Sequence, residues 1–186
     1  AARGRGRVVT RILFVCTANI SRSPYAQVRM SELFGHAGVL PASAGVPGTE
    51  GRPMDPAMEA QLPFEDDEAL SHRSRVLTTA ILRASDLVLT MEFAHHMRIL
   101  DHWPDAARRV FGLRQFVDGL ERVSASGPAS ERVAQVRDAV APNSMMWDID
   151  DPYRRGARAA RACAAQLDDL VLRLGVGLGY QPIAED

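Results

Sequence analysis

The chain has 186 residues, enough for one domain with a sizeable core and short for two. Its 46% hydrophobic and 24% charged residues are ordinary for a globular protein, and no apolar run reaches the roughly 18 to 20 residues of a membrane-spanning helix. With 22 basic and 23 acidic residues the net charge is −1, which excludes the overall positive field that drives binding to nucleic acid or an anionic membrane; any anion site must be local.

Residues 1–10 read as a flexible basic tail, rich in Arg and Gly up to Arg7. No secretory apolar segment is expected, because Val8 to Cys16 is too short and runs straight into a loop. Arg11 to Cys16 is a short apolar run that predicts a buried parallel strand. Asn19 to Pro24 is turn-rich, and a helical pattern runs from Pro24 to Phe34 with Gly35 as its stop. Val39 to Ala44 predicts a second strand. Gly45 to Pro56 is a Gly- and Pro-rich loop, followed by a short helix from Asp55 or Pro56 to Leu62. Asp86 to Met91 is another strong buried-strand signal. The helix predicted from Glu92 to Leu100 carries His95 and His96 on what reads as a solvated face. Arg109 to Leu113 is a weaker strand candidate, Ser124 to Ser130 a polar loop, and Ser130 to Val140 a helix. A long Ala-, Leu- and Arg-rich helix spans Ala157 to Leu174, stopped by Gly175, and residues 176–186 form a C-terminal tail. Strands alternating with helices predict a single α/β domain over 11–175, a parallel sheet with helices on both faces.

The two cysteines, Cys16 and Cys163, are too few and too far apart for a disulfide framework, which points to a reducing cytoplasm. Neither they nor His72, His95, His96 and His102 show metal-ligand spacing, so no metal is expected. Cys163 falls in the last helix and reads as a small core residue.

The chemistry concentrates in Cys16-Thr17-Ala18-Asn19-Ile20-Ser21-Arg22-Ser23-Pro24, between a buried strand and a helix start. In open α/β sheets that position faces the crevice where ligands bind. A loop feeding a helix N-terminus offers free backbone N–H groups and the positive end of the helix dipole, an anion site that also favours thiolate over thiol. Arg22, six residues after Cys16, supplies a planar fork for two oxygens of a phosphate.

This loop resembles the signature of the low-molecular-weight protein tyrosine phosphatases, (V/I)-C-x-G-N-x-C-R-S-P, shared with related arsenate reductases. The resemblance extends to Ser43-Ala44-Gly45, Pro53-x-Asp55, Ser71-His72-x-Ser74-Arg75, Asp86 to Glu92 and Asp151-Pro152-Tyr153, covering 11–174 with an extra stretch near 117–146. It implies a three-layer fold with a four-stranded parallel sheet (phosphotyrosine phosphatase I-like). It also implies phosphomonoester hydrolysis through a phosphocysteine on Cys16. Arg22 and the backbone N–H groups of Thr17, Ala18, Asn19, Ile20 and Ser21 would bind the phosphoryl oxygens. Ser23 would hydrogen-bond the sulfur, and Asn19 would brace the loop through Ser43 and His72. Asp151 would be the general acid, with Pro152 stiffening its loop and Asp148 and Asp150 crowding it with like charge, which favours the protonated form. Such chemistry needs no cofactor. The expected partner is a phosphotyrosine protein or a small phosphomonoester, and the expected assembly a monomer or weak dimer.

Three positions depart from the signature. Ala18 replaces a glycine, which matters if the position needs φ > 0. Ser21 replaces the second loop cysteine, so no vicinal disulfide can protect Cys16. The loop around Thr49 lacks the usual aromatic wall of the substrate cleft, leaving Tyr153 as its main aromatic, with Trp147 at the edge of the cleft beside the acid loop. Ile20 stands where the family's arginine-phosphate-specific members carry Thr, and an apolar residue suits an aryl phosphate better. Arg154-Arg155 reads either as help for acidic substrates or as plain surface. The alternatives are a small-molecule phosphatase, an arsenate reductase on the same fold, disfavoured because residues 77–100 hold no cysteine, and a non-catalytic phosphate-binding module, disfavoured because nucleophile, Arg and acid are all present.

Overall fold

In a computed structural model, residues 10–63 and 65–183 are described. Residues 1–9 of the expected basic tail lie outside them. Four strands, β1 (Thr10–Cys16), β2 (Val39–Gly45), β3 (Leu87–Thr90) and β4 (Val110–Gly112), form an all-parallel sheet of order β2-β1-β3-β4. The helices are α1 (Arg22–Phe34), α2 (Pro56–Glu59), α3 (Asp67–Ser71), α4 (Thr79–Arg83), α5 (Phe93–His102), α6 (Leu113–Arg122), α7 (Ala129–Ala139) and α8 (Gly156–Gly177).

The strands are apolar on both faces because both faces are covered. Ile12, Phe14, Leu87 and Leu89 join one core with residues of α1, α6 and α8. Leu13, Val15 and Val88 join a second core with Leu82 of α4 and Ile99 of α5. After β1 the chain goes to one side, to β2, and later to the other, to β3. The carboxyl ends of β1 and β3 therefore flank a topological switch point, where doubly wound sheets open a crevice. The Cys16 loop leaves β1 there, and Glu92 follows β3.

Several elements differ from the sequence expectation. Helix α1 begins at Arg22, before Pro24. The segment expected as strand 109–113 is shorter, because Leu113 already opens α6, a helix the sequence reading lacked. The short helices α3 and α4 were also absent from that reading, and α2 ends at Glu59. Gly175 does not stop α8, which continues to Gly177. A Cβ at 175 would lie 2.2 Å from Cζ of Phe34, so this glycine serves the close crossing of α1 and α8. Tyr25 and Arg29 of α1 tie the same crossing to Asp168 at 3.1 and 2.7 Å. The C-terminal segment folds back: Ile183 N–H donates to the Leu33 carbonyl at 2.9 Å. Residues 117–146 comprise the end of α6, all of α7 and the chain leading to a 3-10 turn at Met145–Trp147.

Candidate active site

The loop from Cys16 to Ser21 is held from outside by its carbonyls. Those of Cys16, Thr17 and Ile20 accept the N–H groups of Val46 (2.9 Å), Gly48 (2.9 Å) and Asp55 (2.7 Å). His72 Nε2 lies 2.8 Å from the Asn19 carbonyl. Gly45 permits the approach, since a Cβ there would meet Gly48 Cα at 2.7 Å and the Thr17 carbonyl at 2.8 Å. With the carbonyls engaged outward, none of the amides from Thr17 to Arg22 donates to an acceptor among the described residues outside helices and strands. Free amides ahead of a helix form an anion-binding concavity.

Asn19 locks this shape. Its φ is 58°, a left-handed conformation that Asn tolerates. Its side chain donates to Ser23 Oγ (3.0 Å) and Ser43 Oγ (2.9 Å) and accepts from Arg75 N–H (3.0 Å). Ser43 and His72 thus both reach Asn19, as the resemblance implied, and Arg75 joins them. Because Ser23 Oγ accepts from Asn19, its own hydrogen is left for the Cys16 sulfur 2.9 Å away. Ala18 lies outside the left-handed region, so its methyl carries no backbone strain.

Arg22 is 1% exposed. Its Nη1 donates to the Glu92 carboxylate and to the Ile149 carbonyl, the latter at 2.7 Å. Nη2 lies 3.2 Å from Asp151 Oδ2, and Nε is buried with no partner among the described residues. Burial alone would lower its pKa, but the facing Cys16, Asp151 and Glu92 outweigh that and hold it above its ordinary value. Ser21 Oγ is a second buried, unpartnered group. Orphaned buried donors are costly unless a ligand meets them. Both residues line a cleft of about 240 Å³ with Cys16, Thr17, Ala18, Ile20, Asp151 and Tyr153.

A family model for low molecular weight phosphotyrosine protein phosphatases matches residues 11–128. The chain belongs to the low molecular weight phosphotyrosine protein phosphatase family. The protein-arginine-phosphatase of Geobacillus stearothermophilus is 31% identical over 88% of this chain and 93% of its own. A probable low molecular weight protein-tyrosine-phosphatase of Ralstonia solanacearum, EpsP, is 29% identical over 72% of this chain and 88% of its own. The solved low molecular weight protein tyrosine phosphatase of T. tengcongensis has a TM-score of 0.65 at 26% identity, covering 89% of this chain and 97% of that one.

Some residues of this phosphatase sit elsewhere than the sequence suggested. Of the three expected cleft residues, Tyr153 lines the cleft and Thr49 and Trp147 do not. Thr49 points back to the Ala18 carbonyl at 3.4 Å, and Trp147 belongs to the 3-10 turn at 145–147, whose Met146 carbonyl is bonded by Arg114. Asp148 and Asp150 line the same surface cavity as Asp151, together with Arg114, Arg155 and Arg158. The Asp148 carboxylate accepts the Phe93 N–H at 2.7 Å, and the Asp150 side chain is 91% exposed. Arg22 Nη2 faces the Asp151 carboxylate. Arg52, missed in the sequence, donates to the Tyr153 hydroxyl at 3.0 Å, and its guanidinium stacks 5.6 Å from that ring; Arg154 stacks at 5.1 Å. Cys163 is buried, which pushes its thiol up to about 12. Among the described residues no helix is long and apolar enough to cross a membrane.

His95 is buried, not on a solvated face, and His96 is half-buried. Burial lowers the pKa of His72 and His96 and takes His95 to about 4. Each imidazole is neutral when folded and binds protons more readily when unfolded. Their contribution to stability is whole above the ordinary histidine value near 6.5 and is lost as pH falls below it, for His95 toward about 4. His95 has the largest shift of the three and contributes most to that dependence. Denaturant titrations are expected to show stability falling between pH 7 and 4, and His95→Gln should flatten the curve in that window. An unchanged slope in the variant would contradict this.

Proposed function

We propose that this chain hydrolyses phosphotyrosine in proteins through a phosphocysteine formed on Cys16. The observation that carries the reading is the ring of unbonded donors beside the sulfur: the amides of 17–22, Ser21 Oγ and Arg22 Nε. The sulfur attacks phosphorus from beneath this ring, which holds the three equatorial oxygens throughout transfer. Asp151, at the cleft wall and within reach of Arg22, protonates the leaving oxygen and then activates the water that hydrolyses the phosphocysteine. Ser23 stabilises the sulfur as leaving group in that second step.

Asp151→Asn should slow poor leaving groups by roughly 10² to 10³-fold and good ones much less. Equal slowing across aryl phosphates of differing leaving-group pKa would remove Asp151 from that role.

The choice of tyrosine over arginine rests on the cleft wall. Ile20 and the Tyr153 ring present apolar surface suited to an aryl group. A phosphoarginine brings several N–H donors that need acceptors; the cleft supplies the Asp151 carboxylate, which already faces Arg22, and the mouth adds Arg52 and Arg154, which are donors themselves. The 31% identity to a relative named protein-arginine-phosphatase makes the direct comparison informative. A peptide carrying phosphotyrosine is expected to give at least tenfold higher kcat/KM than the same peptide carrying phosphoarginine. The reverse order would reassign the substrate. Turnover of p-nitrophenyl phosphate with neither peptide cleaved would point to a small phosphomonoester. Two unpaired thiols fit the reducing cytoplasm as the setting.

A further inference from the structure

Thr17 follows the nucleophile directly, and its hydroxyl sits 2.9 Å from His95 Nε2. On the other side of the ring, the Glu92 backbone N–H donates to His95 Nδ1 at 3.1 Å. An N–H needs a lone pair to receive it, so Nδ1 carries no proton. The ring is the neutral tautomer with hydrogen on Nε2, and that hydrogen goes to Thr17 Oγ1. His95 is 3% exposed on α5, and Glu92, which fixes its ring, is the residue whose carboxylate pairs with Arg22. The low proton affinity of the buried ring agrees with this tautomer.

Once Thr17 Oγ1 accepts from His95, the hydroxyl hydrogen must turn elsewhere. No other partner is found for it among the described residues, and Thr17 lines the same cleft as Cys16, Ser21 and Arg22. We propose that His95 is a positioning residue that turns the Thr17 hydroxyl into the cleft as a further donor to the phosphoryl group on Cys16. This rests on the phosphocysteine reading above and adds a side-chain donor to its amide ring. A hydroxyl with a free rotor would choose among acceptors; one whose lone pair is already taken by an imidazole N–H has fewer choices and is pre-organised for the phosphoryl oxygen.

The test uses Thr17→Val, His95→Leu, His95→Gln and the double variant Thr17→Val/His95→Leu. kcat/KM on p-nitrophenyl phosphate and the inhibition constant of inorganic phosphate are read for each, with a melting curve as the folding control. Thr17→Val should lower kcat/KM and weaken phosphate inhibition by roughly tenfold, the scale of one hydrogen bond to a charged group. His95→Leu should do the same, and the double variant should be no worse than either single. His95→Gln, whose amide N–H can reach Thr17 from a similar place, should stay within about threefold of wild type on the same scale. Wild-type values in Thr17→Val would overturn the proposal. So would a His95→Leu loss that persists in the Thr17→Val background, because that loss would come from packing. Should His95→Leu fail to fold, Thr17→Val and His95→Gln decide the matter. Failure of the underlying reading looks different: hydrolysis would then survive Cys16→Ser.

Discussion

Replacing Cys16 by Ser is expected to lower turnover of an aryl phosphate by roughly 10⁴-fold or more, while inorganic phosphate still binds. The serine hydroxyl is nearly the size of the thiol and leaves the amide ring, Arg22 and the Ser23 contact in place. What it removes is the sulfur that the phosphocysteine proposal makes the attacking atom. The separation between lost chemistry and retained binding is the informative part. It is checked by steady-state kinetics together with phosphate titration followed by calorimetry. A variant within tenfold of wild type would show that the sulfur is not the attacking atom.

Arg22→Lys is expected to cost roughly 10³-fold in kcat/KM, although charge is conserved. Two physical losses combine. A lysine is a single point donor, whereas Arg22 keeps an unpartnered Nε at the cleft while Nη1 is used on Glu92 and the Ile149 carbonyl and Nη2 faces Asp151. The substitution also weakens the anchor that ties the loop after β1 to Glu92 after β3 and, through the Ile149 carbonyl, to the segment leading to Asp151. Melting and kinetics separate the two. A folded variant with near wild-type turnover would contradict the clamp role.

The parts of this site that could be read in the sequence share a cause. Cys16 to Pro24 and Asp86 to Glu92 are local patterns, a buried apolar run ending in turn residues, and a parallel strand covered on both faces writes that pattern directly. Helix α6 was hidden although Leu113, Phe116, Val117 and Leu120 recur at helical spacing, because its first residue completes the short apolar run of β4. Gly175 was misread because a glycine that admits a neighbouring ring looks the same in sequence as one that ends a helix.

Residues that act across the fold were harder to see. Arg22 and Glu92 are 70 positions apart, and Thr17 and His95 are 78 apart. Only the adjacency of β1 and β3 brings each pair together. A carboxylate directly after a buried strand was the available signal for Glu92, since that is the edge of the sheet that faces ligands. Spacing along the chain also says nothing about which carboxylate is captured by a helix N-terminus, as Asp148 is by Phe93.

The central claim is a covalent bond between Cys16 and phosphorus. Wild-type protein mixed with p-nitrophenyl phosphate and quenched in acid within milliseconds, then digested and examined by mass spectrometry, tests it most directly. One phosphoryl group on the peptide holding Cys16, formed in a burst that matches the first release of p-nitrophenol, is the expected result. Rapid hydrolysis with no label at Cys16, or label on a different side chain, would contradict it.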